Sequence, residues 1–250
     1  MEKSDMPAAA NSERRPASRQ IASWIHLAGF LLIMAALMVL GFLGQHAAGG
    51  AGAPAGQLAS HNVATRIYFV AILMDWALFY YCWAGVRRAG GNLNTLSAGR
   101  WTSWKEVAGD LAVALPFWAL WEGVAWGVSR LLGPSSTKTV SGLLPQSMLE
   151  ILVWTATCIT AGFCEEIAFR GYLQRQFHAL GGSVVVAVLG QGLVFGMAHS
   201  YQGWKSAVVI TVLGFLYGAL FAWRGNLRAN MISHAWSDFW EGWLKFLVFR

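Results

Sequence analysis

Long apolar runs alternate with short polar or glycine-rich breaks along almost the whole chain. About 20 consecutive apolar residues suffice for an α-helix to cross the hydrocarbon core of a bilayer. Seven runs predict seven helices, at residues 21–43, 63–86, 107–132, 147–179, 183–201, 204–223 and 229–249, with eight spans as the alternative count. The third run holds Pro116, which predicts a kink. The fourth exceeds one bilayer. Its end, from Arg170 through Arg175 to His178, is amphipathic and predicts a segment that emerges at the interface before Gly181-Gly182 breaks it. The pattern predicts an all-α fold, a polytopic transmembrane helical bundle of about seven helices around a buried polar site. No internal repeat is visible.

The breaks set the expected organisation. Residues 1–20 (MEKSDMPAAANSERRPASRQ) predict a disordered cytoplasmic tail. Arg14, Arg15 and Arg19 precede an apolar stretch as in a signal peptide, but 21–43 is too long for such an h-region. Residues 44–62 lack Lys and Arg and predict an outer loop. Arg87, Arg88, Arg100 and Lys105 crowd the next connection and mark it as cytoplasmic. Residues 133–146 predict a turn-rich outer connection. The expected divisions are the tail 1–20, N-terminal transmembrane helices at 21–140 and a site-bearing transmembrane domain at 141–250. The expected location is the cell (inner) membrane, multi-pass, with a cytoplasmic N-terminus.

Composition agrees with this reading. The chain is 56% hydrophobic and 12% charged, with a mean hydropathy of +0.46, about half the charge fraction of a soluble domain. The net charge of +6 reflects basic residues at cytoplasmic helix ends, so the bilayer and not nucleic acid is the expected partner. Cys82, Cys158 and Cys164 all lie in apolar segments and form no disulfide framework or structural zinc motif.

Glu165 and Glu166 stand together inside an apolar run, where each charge costs on the order of 2.5–3.5 kcal/mol. Arg170 follows Glu166 at i,i+4, a favourable order for an ion pair; Glu165 points about 100° away and needs another partner. Taking Gly181-Gly182 as the hinge of a helical hairpin, Glu165 lies about 16 residues before it and His199 about 17 after, roughly 25 Å at 1.5 Å per residue. The two are expected at equal depth. Phe195 and His199 share a face, and Asn230, His234 and Asp238 form one polar stripe at i,i+4,i+8. His234 lies only nine residues past the Gly225 turn, so its depth matches His199 only if the basic end of the fourth helix and the start of the fifth project beyond the bilayer.

A carboxylate, two imidazoles and an Asp suit hydrolysis by activated water: a Glu as general base, a His with an Asp or Asn to stabilise the oxyanion. Two His and a carboxylate are also a zinc set with an open position, although no HExxH is present. The bland alternatives are a buried ion pair of Glu165 and Glu166 with Arg170 and Arg175, a core histidine at His199, and a helix pair of His234 with Asp238. Asp75 and Glu122 are expected to pair with a neighbouring helix, with a substrate path as the alternative. Cys164 is expected to be an inert buried thiol, and Arg224 and Arg228 to anchor the chain at the lipid surface.

Glu165-Glu166-Ile-Ala-Phe-Arg170, Phe195-Gly-Met-Ala-His199 and His234-Ala-Trp-Ser-Asp238 resemble the EExxxR, FxxxH and HxxxN/D motifs of the type II CAAX prenyl protease family, also called the CPBP or Abi family of intramembrane proteases. The resemblance covers about residues 145–245. It implies an intramembrane endopeptidase in which Glu165 activates water with help from His199. His234 and Asp238 would stabilise the oxyanion, Glu166 would complete the catalytic set, and Arg170, Phe195 and Asn230 would support it. The implied partner is a peptide or membrane-anchored protein substrate, lipidated in the prenyl case. The family has been described both as metal-dependent and as metal-free. No cofactor is assigned with certainty; zinc or another divalent metal is the alternative, with Glu165, His199, His234 and Asp238 as candidate ligands. Asp238 stands where eukaryotic members tend to carry Asn, which adds a candidate ligand and a negative charge. From other classes, the alternatives are a proton- or ion-coupled transporter using Glu165 and His199 as a relay, and a catalytically silent scaffold or immunity protein.

Overall fold

A computed structural model describes residues 20–47, 61–97, 99–133 and 144–248. The predicted tail and most of the two predicted outer loops lie outside the described residues. Seven long helical rods correspond to the seven apolar runs: α1 (Trp24–Ala47), α2 (His61–Arg88), α4 (Trp104–Leu132), the rod Met148–Gly181, α7 (Val184–Ala198), α8 (Trp204–Arg224) and α9 (Arg228–Val248). The short α3 (Leu93–Ser97) interrupts the basic connection that the sequence reads as loop. Among the described residues there is no strand, and the fold is all-α. Five rods are long and apolar enough to cross a membrane, namely those at Trp24–Leu43, Val63–Arg88, Trp104–Leu132, Met148–Gly181 and Trp204–Arg224.

Local signals set the helix ends. Ser103, Ser147 and Ser183 each accept a hydrogen bond from the backbone N–H three residues on, which satisfies an otherwise orphaned donor of the first turn. Gly182 (φ 67°) and Gly225 (φ 69°) adopt the left-handed conformation that closes a helix, a backbone state with little steric cost only for glycine. Helix α4 continues through Pro116.

The exposed surface is largely apolar: Leu32, Leu73, Trp126 and Leu131 are 64–88% exposed. The polar side chains Glu166, Arg170, Gln191 and Asn230 are fully buried instead. This inversion is expected of a bundle solvated by lipid, where backbone groups are satisfied within helices and polar side chains turn inward. The Met148–Gly181 rod is central. It packs against α2, α3, α7 and α9.

Two expected roles change. Arg224 and Arg228 form a clasp instead of lipid anchors. Arg224 Nη2 and Arg228 Nε meet the two carboxylate oxygens of fully buried Asp110 at 2.7 and 2.8 Å, and Arg228 Nη1 reaches Glu106 at 3.1 Å. The clasp ties the start of α4 to the α8–α9 turn. Among the described residues Glu122 does not pair with a neighbouring helix. It accepts a 3.0 Å hydrogen bond from Trp118 on its own helix, because that face of α4 points outward.

Candidate active site

The central rod is not a uniform α-helix. Met148–Glu165 is α-helical (α5), Glu166–Gln174 is π-helical and Arg175–Gly181 (α6) is α-helical again. A π-helical stretch is rare and often sits at functional sites, because it redirects side chains relative to the regular ladder. All nine of its residues are buried. At its start Arg170 Nη1 donates to Glu166 Oε1 at 2.8 Å, with both side chains fully buried. The guanidinium is further enclosed by the rings of Phe195 and Tyr217, at 4.3 and 5.2 Å from their centroids.

Helix α9 supplies the other half. Its polar stripe faces the rod because Gly162 lets Ala235 approach closely; a methyl group added at Gly162 would lie 2.8 Å from Ala235 Cβ. Asn230 Nδ2 donates to Glu166 Oε2 at 3.1 Å and to the carbonyl of Tyr217 at 2.9 Å. His234 Nδ1 lies 2.9 Å from Glu166 Oε1. A carboxylate accepts, so this Nδ1 carries the proton and the ring orientation is set. His234 Nε2 then faces Glu165 Oε2 at 3.8 Å and Asp238 Oδ2 at 3.7 Å. The Tyr217 ring stacks on His234 at 5.4 Å and 22°, and its hydroxyl donates to Ser233 at 3.2 Å.

The two glutamates are therefore in unlike environments. Glu166 is engaged by Arg170, Asn230 and His234. Glu165 is 16% exposed, and its buried Oε2 has no hydrogen-bond partner. Asp238 is 39% exposed, and its backbone carbonyl accepts from Trp154 at 3.2 Å. Arg175 takes no part. It donates to the carbonyl of Thr95 in α3, so the alternative that includes Arg175 in an ion pair with the glutamates does not hold.

His199 stands beside the cluster. Its Nδ1 donates to the carbonyl of Phe195 at 2.8 Å, which leaves Nε2 as the free nitrogen. The Phe195 ring touches His199, His234 and Phe169 with centroids at 4.8, 6.1 and 4.8 Å, so it spaces the two imidazoles. Among the described residues His199 makes no hydrogen bond or ion pair to Glu165. Gly171 packs against Leu227, which places the α8–α9 turn at the level of Gly171 and sends α6 beyond it.

Among the described residues, no group of three or more His, Cys, Asp or Glu has donor atoms gathered closely enough to hold a metal ion. Of the four candidate ligands, Glu165 and Asp238 lie 3.8 and 3.7 Å from His234 Nε2, and His199 stands apart behind the Phe195 ring.

Sequence reasoning missed Tyr217, Ser233 and Trp154. Tyr217 lies between Gly214 and Gly218 on α8, two glycines that allow close packing. Only the tertiary fold shows that its ring covers His234.

Residues 147–240 match the family model described as type II CAAX prenyl endopeptidase Rce1-like. The matched segment is similar to that family. It contains every residue of the three motifs. A curated relative, the uncharacterized protein YpbD of Bacillus subtilis (strain 168), is 31% identical over 72 residues, or 29% of this chain and 34% of that protein. The chain thus covers about a third of that relative's length. No solved structure matches.

Proposed function

We propose that the chain is a multi-pass intramembrane endopeptidase that hydrolyses a peptide bond with water activated by Glu165. The observation that carries this is the division between the glutamates. Glu166 is held by Arg170, Asn230 and His234, whereas Glu165 keeps a free carboxylate oxygen 3.8 Å from His234 Nε2. A general base needs an unengaged lone pair within reach of a water.

In this reading Glu165 takes a proton from water, and the oxygen attacks the scissile carbonyl carbon. His234, held at Nδ1 by Glu166, acts as the doubly protonated imidazolium and presents its Nε2–H to the developing oxyanion. Glu165 then passes its proton to the leaving nitrogen as the C–N bond breaks. His199 assists the base side through its free Nε2, and Asp238 orients the outer edge of His234. The Phe195 ring and Tyr217 exclude bulk water from the inner side. The substrate is a membrane-anchored protein or peptide, with a lipidated C-terminus as the prenyl case. The site works in the cell (inner) membrane with the N-terminus cytoplasmic.

The test compares peptide termini in membranes carrying the wild-type chain and Glu165→Gln at matched expression. New termini restricted to the wild type support the reading. Identical termini across a broad substrate panel overturn it and favour the ion-relay or scaffold alternatives. A chelator arm on the wild type reads metal dependence directly.

A further inference from the structure

A cavity lies away from the glutamates, at the end of the bundle that carries the basic connection after α2. It measures about 480 Å³ and is lined by Ile21 before α1, Ala89 and Gly90 in the turn after α2, Thr95 of α3, and Arg175 and His178 of α6. Sites for small ligands span roughly 300–1,000 Å³. The walls are tied to one another. Gln176 holds the backbone of Ile21 and Ala22 through hydrogen bonds of 2.9, 3.3 and 2.9 Å, and Arg175 Nη1 donates to the carbonyl of Thr95. Gly90 turns the chain at φ 83°, a conformation with little steric cost for glycine. It leaves its wall open, since a Cβ there would meet nothing within 4 Å. The cavity is therefore formed before any ligand arrives. It lies where the apolar span Val63–Arg88 ends, which in a bilayer is the level of the headgroups. Trp24, exposed at the start of α1, suits the same level.

The charge around this cavity has one sign. Arg175 and His178 line it and no Asp or Glu does, while Arg87 and Arg88 end α2 just before Ala89. Other enclosed arginines have an acid: Arg170 has Glu166, and Arg224 and Arg228 have Asp110. Arg175 is half-buried and, among the described residues, forms no ion pair. A cation in the last turn of a helix complements the helix dipole, which accounts for Arg87, Arg88 and His178. It does not account for Arg175, the first residue of α6. A partly desolvated guanidinium without an acid lacks the counter-charge that offsets its burial. Its planar fork matches phosphate oxygens with paired hydrogen bonds, and basic pockets between helices at a membrane face take anionic headgroups. We infer that this cavity is a phosphate-binding site in which Arg175 holds the phosphate and His178 donates beside it. The bilayer offers that group as an anionic lipid headgroup, and a soluble phosphate ester presents the same chemistry. The site is separate from the glutamate cluster and does not rest on the endopeptidase reading.

The test titrates the full-length chain in detergent, at constant ionic strength, with short-chain phosphatidylglycerol, short-chain phosphatidylcholine and inorganic phosphate. Phosphatidylglycerol is expected to bind saturably and about fivefold or more tightly than phosphatidylcholine, whose choline cation cancels the phosphate charge; fivefold is the effect of one basic residue beside an anionic headgroup. Ala89 is exposed at the rim. Ala89→Glu adds an acid there without removing a side-chain hydrogen bond and should abolish the preference, whereas Ala89→Gln, of the same shape, should keep it. Both variants should keep the wild-type thermal midpoint. Arg175→Gln should also abolish the preference, but it removes the bond to Thr95, so the Ala89 pair decides the matter if that variant fails to fold. Inorganic phosphate that binds as tightly as phosphatidylglycerol, with the same sensitivity to Ala89→Glu, supports the site and assigns it to a soluble phosphate compound. Weaker binding of inorganic phosphate beside a clear lipid preference supports it and assigns the headgroup. Equal binding of the two lipids with no binding of inorganic phosphate overturns the inference, as does a preference that Ala89→Glu leaves unchanged.

Discussion

Replacing Gly162 by alanine tests whether the spacing of α5 and α9 sets the geometry of the site. The added Cβ would lie 2.8 Å from Ala235 Cβ, 2.8 Å from Ala235 N and 2.9 Å from the Met231 carbonyl oxygen. The last two are backbone atoms, so no side-chain rotation relieves them. Since carbon atoms rest at about 3.5–4.0 Å, the helices must separate locally by roughly 0.7–1.2 Å. Overpacking of this kind costs about 1–3 kcal/mol, and alanine returns about 1 kcal/mol in helix propensity. The net loss of stability is therefore small, about 0–2 kcal/mol. The effect on chemistry is larger. Glu165 and Glu166 sit on the central rod, while Asn230 and His234 sit on α9. A displacement of about 1 Å across that seam costs on the order of 100-fold in rate, or about 2.7 kcal/mol of transition-state stabilisation. The assay is cleavage of a substrate whose turnover depends on Glu165, read beside the thermal midpoint in detergent. Gly109→Ala serves as the control, because a Cβ there meets nothing within 4 Å. Wild-type cleavage by Gly162→Ala would refute the claim that this contact positions the site.

Two further outcomes follow from contacts remote from the site. Asp110→Ala removes the acceptor of Arg224, Arg228 and the Trp101 indole, at 2.7, 2.8 and 2.9 Å. Both arginine side chains keep some access to solvent, so the loss is expected toward the lower end of the about 3–5 kcal/mol for breaking a buried ion pair. It should appear as a lowered thermal midpoint; an unchanged midpoint would show that the clasp contributes nothing. Gln176→Ala frees residues 21 and 22, whose backbone makes three hydrogen bonds to that side chain at 2.9, 3.3 and 2.9 Å. A net loss of about 1–3 kcal/mol should speed amide exchange at Ile21 and Ala22 by tenfold or more, and unaltered exchange would count against the tether.

Helix positions were legible because lipid-facing helices show as uninterrupted apolar runs and their breaks carry Gly, Ser and Arg. Gly182 and Gly225 close helices where the turns were expected. The Glu166–Arg170 pair and the Asn230, His234 and Asp238 stripe were each legible from i,i+4 spacing, but their meeting at Glu166 was not. Less was legible where distant segments meet. The π-helical stretch of the central rod leaves no mark in hydrophobic periodicity, since all nine of its residues are buried on every side. The partners of Arg224 and Arg228 lie over a hundred residues away on α4. A basic turn at a helix end reads the same whether it faces headgroups or a buried aspartate. His199 was expected to meet Glu165, and equal depth alone did not reveal the Phe195 ring that spaces it from the cluster.

The placement of Phe195 bears on why the doubled glutamate is needed. A single buried carboxylate cannot both hold the cluster and act as its base. The partners that fix His234 and Arg170 would compete for the lone pair that must accept a proton. Adjacent residues on a helix diverge by about 100°, which splits the two tasks. Glu166 turns into the bundle, where Arg170, Asn230 and His234 occupy it. Glu165 turns toward Nε2 of His234 and the partly exposed Asp238, where its Oε2 makes no hydrogen bond. Phe195 and Tyr217 stack over Arg170 and so keep the guanidinium on the Glu166 side of this division. Under the proposed mechanism, giving Glu165 a guanidinium partner would remove the base while leaving every motif residue in place. The structural meaning of the motif thus lies in which glutamate keeps an oxygen without a hydrogen bond.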